Sequence, residues 1–79
     1  MAIDLKYGRV TLEHGTIGED EPVVVFRAQD VLLPALLDEY RRLCAEAGSP
    51  ANHLDGIDAA TRAVIQWQQN HHTQVPQSK

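Results

Sequence analysis

The chain has one cysteine, Cys44, so it cannot close an internal disulfide, and a lone thiol suits a reducing compartment. It has no block of lysine or arginine, and its formal charge is −4. A protein that grips duplex nucleic acid draws on several phosphate contacts, so that class is excluded. The opposite role, acidic mimicry of DNA, needs a far stronger field than −4. No apolar run approaches the roughly 18 residues that cross a membrane, and the N-terminus lacks the apolar core of a signal peptide. A soluble, cytoplasmic protein is expected.

Recognisable chemistry is missing too. His71 and His72 are adjacent, so on a helix they point about 100° apart and cannot chelate as an i, i+4 pair would. His14 and His53 lie in unrelated places, and no metal site is expected. Cys44 falls among leucines, where burial makes a thiol inert. Asp20 and Glu21 follow Glu19 in a polar loop and read as solvated charge. No catalytic residue, cofactor or enzymatic activity is expected.

Seventy-nine residues make one small domain with little surface to bury. Arg9–Glu13 alternates, with Val10 and Leu12 on one face, and reads as a half-buried strand. Ile3 and Leu5 give a weaker strand signal before Gly8. Val23–Phe26 is a run of four apolar residues that calls for burial on both faces, and an antiparallel pairing with Arg9–Glu13 is expected.

Asp30 is a candidate N-cap for the next element, and Pro34 implies an irregular or 3₁₀ first turn. From Leu32 to Ala47 the apolar residues, Leu36, Leu37, Tyr40, Leu43 and Cys44 among them, fall on an arc of roughly 140°. Gly48-Ser49-Pro50 then stops one helix and starts another, with Gly48 at C′, Ser49 as N-cap and Pro50 in the first turn. The second stripe runs from Leu54 to Trp67 and is unbroken through Gly56, which favours one long element. The expected fold is α+β: a small antiparallel β-hairpin, with three strands as a variant, packed on a two-helix αα-hairpin. Residues 1–71 form the domain. Residues 72–79 are polar and aperiodic, which predicts a flexible C-terminal tail whose removal is nearly neutral.

Arg27 ends the apolar strand three residues before the helix start. A guanidinium beside free helix amides can hold a phosphate or carboxylate, and Gln29 can add amide recognition. The candidate ligand-binding set is therefore Arg27, Gln29 and Asp30. The structural alternative is that Arg27 pairs with Asp30, Glu19 or Glu21 and only closes the junction. Trp67, the sole tryptophan, sits at the edge of its stripe and fits either a core or an interface.

The stretch Gly8–Asp30, in which Asp20-Glu21-Pro22-Val23 runs through an apolar strand into Arg27-Ala28-Gln29-Asp30, resembles a group of short phage and prophage proteins. In that group two helices follow, the second carrying Trp-Gln as at Trp67-Gln68. The motif itself identifies no chemistry. Small oligomeric phage proteins include sponges that sequester nucleotide immune signals, and this chain's similar size and organisation give, by analogy, the expectation of such a sponge in the host cytoplasm. A protein-interaction module acting on a host factor is the alternative. A homo-oligomer is expected in either case, because one αα-hairpin covers only one face of Val23–Phe26.

Overall fold

A computed structural model describes residues 2–76. The expected α+β class is found: a three-stranded mixed sheet and two packed helices. The strands are β1 (Ala2–Asp4), β2 (Gly8–Val10) and β3 (Pro22–Val23). The helices are α1 (Leu33–Glu46) and α2 (Ala51–Gln69).

β1 is central. It pairs antiparallel with β2, Ala2 opposite Val10 and Asp4 opposite Gly8, and parallel with β3, Ile3 opposite Pro22. The antiparallel pairing of Arg9–Glu13 with Val23–Phe26 is thus replaced by two separate pairings with β1. The short Leu5–Tyr7 turn makes β1 and β2 immediate neighbours, and Gly8 accepts the φ of +92° that the turn requires. Pro22 is tolerated because β3 is an edge strand. β3 stops at Val23 because its partner ends at Asp4.

The face that β1 buries is the reverse of its apolar pattern. Ala2 and Asp4 are inside, while Ile3 is half exposed and Leu5 is 96% exposed. The reason is the Asp4 carboxylate. Its Oδ1 accepts the amides of Lys6 (2.8 Å) and Tyr7 (2.7 Å), and Oδ2 accepts that of Val25 (2.7 Å). A buried carboxylate needs such partners, and these three lock the hairpin turn to the segment after β3.

α1 opens as its proline predicts. Leu33 N–H donates to the Asp30 carbonyl (3.1 Å), an i→i+3 turn, and Pro34 lies where its missing amide costs nothing. The N-cap is Leu32, two residues after Asp30, and Asp30 Oδ1 accepts the Leu32 amide (2.8 Å). At the other end Gly48 takes φ +88° in a Schellman motif: Ser49 N–H donates to Cys44 O (2.9 Å) and Gly48 N–H to Ala45 O (3.2 Å). The expected Ser49 cap is not formed: the N-cap of α2 is Pro50, whose carbonyl accepts from His53 and Leu54, and no side chain caps the helix. α2 runs unbroken through Gly56. The two helices meet through Leu33, Cys44 and Ile57, which are buried, with Leu37, Leu54 and Val64 half-buried. Among the described residues no helix is long and apolar enough to cross a membrane.

Chain after α2 returns to the junction. Gln74 N–H donates to Gln29 O (2.8 Å), and Val31 N–H donates to Gln74 O (3.0 Å). Backbone hydrogen bonding to the domain thus extends beyond residue 71, the last residue of the expected domain, as far as Gln74. Residues 77–79 of the expected tail lie outside the described residues.

Candidate functional site

The junction between sheet and helices carries a cleft of about 780 Å³. Its walls are the Asp4–Tyr7 turn, the Pro22–Arg27 segment, Gln29, Asp30, and Gln74 with Pro76 from the returning chain. Asp4 positions two of these walls, since its two carboxylate oxygens hold the turn and Val25 together. The amide of Tyr7 is the largest influence on its acidity, and with those of Val25 and Lys6 and the Lys6 charge it outweighs burial. The result is a carboxyl held below the ordinary range, and Asp4 is an anion at neutral pH.

Arg27, Gln29 and Asp30 all line this cleft. They share one turn, closed by Asp30 N–H donating to Arg27 O (2.9 Å). Gln68 fixes that turn from α2: its Nε2 donates to the carbonyls of Ala28 (2.9 Å) and Asp30 (2.8 Å). The pairing of Arg27 with Asp30, Glu19 or Glu21 does not form. Ion pairs among the described residues are Arg41–Asp58, Arg42–Glu39 and Arg42–Glu46.

Three of the amides leading into α1, those nearest Arg27 in the chain, are already taken. Val31 N–H goes to Gln74 O, Leu32 N–H to Asp30 Oδ1, and Leu33 N–H to Asp30 O. Asp30 is thereby a structural residue of the helix entry. The cationic side chains that line this cleft are Arg27 and Lys6.

Comparison with family models, with curated proteins and with solved structures returns no match. The geometry therefore stands alone as the guide to chemistry.

Sequence reasoning missed Lys6, Tyr7 and Gln68. Lys6 Nζ lies 5.4 Å from the centre of the Tyr7 ring, so cation and aromatic share one rim of the cleft. Phe26, about half exposed, lies on the wall beside Arg27. The available signal was Asp4 followed by Gly8, an Asp-initiated turn closed by glycine that fixes where Lys6 and Tyr7 sit. No group of three or more His, Cys, Asp or Glu side chains able to hold a metal ion occurs among the described residues.

Proposed function

We propose that this chain binds a small phosphorylated, nucleotide-like ligand in the junction cleft and sequesters it without turnover, as an anti-defence sponge of phage type acting in the host cytoplasm. The observation that carries this reading is the pairing of charge and surface: Arg27 and Lys6, neither in an ion pair among the described residues, share a cleft with Tyr7 and Phe26. Asp4 and Asp30 balance these two charges in the cleft, but both carboxylates already accept backbone amides, which leaves the two cations to meet an anion. A phosphate takes the guanidinium and ammonium, a base stacks on an aromatic ring, and Gln29 offers amide hydrogen bonds to its edge.

The test is a thermal-shift screen with cyclic oligonucleotides and ADP-ribose derivatives. One of them should raise Tm, and Arg27→Ala should remove the shift while leaving the fold intact. Loss of one charge-assisted contact costs roughly 1.5–3 kcal/mol, about one to two decades in affinity. An unchanged affinity in Arg27→Ala, or no response to any phosphorylated compound, would sink the sequestration reading.

A second reading, a module that inhibits or adapts a host protein, is favoured by the apolar side chains on the same walls. Leu5 is 96% exposed and Val24 is 73% exposed. It predicts no small-molecule response, and loss of partner capture in Val24→Asp.

A further inference from the structure

α1 and α2 cover only one flank of each other's apolar surface. On the flank marked by the Arg41–Asp58 ion pair, polar groups meet water. On the opposite flank Leu36, Tyr40 and Leu43 are 42–49% exposed along α1. Beside them α2 presents His53, Gly56 and Ala60, and a shallow apolar groove runs between the helices. Tyr40 and His53 meet edge to face across it, with ring centres 6.3 Å apart.

The molecule as a whole is short of cover. A folded monomer of this mass exposes about 4,800 Å², whereas this chain exposes 6241 Å². The excess, roughly 1,400 Å², is larger than the ~800 Å² per partner that a standard interface buries. The radius of gyration is 14.0 Å, against about 12 Å for a compact chain of this length.

We infer that the open flank of the helix pair docks a second copy of this chain, the same flank of both copies meeting across a two-fold axis as a four-helix bundle. Three observations favour a second copy on this flank. The uncovered area of the whole chain, to which Leu36, Tyr40 and Leu43 on this flank contribute, is enough for a stable dimer. The flank is built from two regular helices, and none of its six named residues is Asp, Glu, Lys or Arg, so no like carboxylates are brought face to face among them. Gly56 completes the case. A Cβ built there meets nothing within 4 Å, so nothing inside the monomer requires glycine at a helical position. Glycine lets a facing helix approach closely. No residue lining this groove also lines the junction cleft, so the inference is independent of the ligand reading.

Sedimentation of the full chain over a wide range of micromolar concentrations tests it. The expected mass is twice 8.8 kDa. Leu43→Glu should bring it to the monomer value, with circular dichroism reporting the helices. Should Leu43→Glu unfold, Gly56→Leu keeps the test open: helix propensity favours the monomer, and the added side chain fills the space of the facing helix. Ala59→Glu, on the outer side of α2, should leave the mass unchanged. A wild-type mass of 8.8 kDa throughout, or a dimer that survives Gly56→Leu, would overturn the inference.

Discussion

The two halves of this molecule are held together by different physics. Residues 33–69 are two helices zipped by an apolar seam, with Leu33, Cys44 and Ile57 out of water. Residues 2–31 bury Ala2 and Asp4 and leave Leu5, Val24 and Phe26 in contact with water. Their order comes from directed hydrogen bonds: Asp4 to three amides, Gln68 to two carbonyls, and Gln74 to Gln29 and Val31. An apolar seam tolerates the exchange of one hydrophobe for another of similar volume. A polar clasp fails when one atom is changed, because the partners left behind lose their compensation.

The strongest way to break this contrast is Asp4→Leu. It is expected to have the largest effect on stability of any substitution considered, releasing the amides of Lys6, Tyr7 and Val25 together. The helix pair should persist, so amide exchange should accelerate at residues 6, 7 and 25 while the centres of α1 and α2 stay protected. Uniform exchange throughout would mean that the halves unfold as one unit. Acid should act in the same direction. The folded carboxyl titrates below its ordinary value of 3.8, so Asp4 contributes stability above that value. This contribution disappears as pH falls through the lower folded value. In Asp4→Leu that acid-dependent step should be absent.

The same contrast explains what could be read in advance. The helices follow from a 3.6-residue stripe and a Gly-Ser-Pro stop, which are local signals carried by side chains. Even there, α2 starts one residue later than expected, with Pro50 at the N-cap and Ser49 in the Schellman turn of α1, a boundary that composition does not decide. β1 misleads because alternation assigns Ile3 and Leu5 to the inside, yet the carboxylate between them has a partner 21 residues away at Val25. The candidate site was half legible. Arg27, Gln29 and Asp30 do share the cleft, but its other rim comes from Lys6 and Tyr7 across the fold. The docking of Gln74 uses only backbone atoms, and any residue except proline could make both bonds.

That docking supplies the next test. Ending the chain at His71 removes the two backbone hydrogen bonds of Gln74 and should lower stability by roughly 1–2 kcal/mol, about 4–16 °C in Tm for a chain of this size. Gln74→Pro should cause about half the loss, since it removes one donor and leaves the carbonyl. A melting temperature unchanged in both would restore the flexible tail expected from composition, with the junction held by Gln68 alone.

The smallest effect belongs to the ion pair between the helices. Arg41 Nε lies 2.7 Å from Asp58 Oδ1, a good geometry, yet both side chains are 38% exposed. Water and salt screen charges in that setting, and holding two flexible side chains in one arrangement opposes the gain. A double-mutant cycle on Arg41→Ala and Asp58→Ala should therefore give a coupling of about 0.2–1 kcal/mol, falling towards zero in high salt. The apolar seam beneath should matter more: Ile57→Ala, at a site only 7% exposed, should cost roughly 2–5 kcal/mol. If the coupling exceeded the cost of Ile57→Ala, the helix pair would rest on polar contacts, and the division between an apolar half and a polar half would fail where it is most secure.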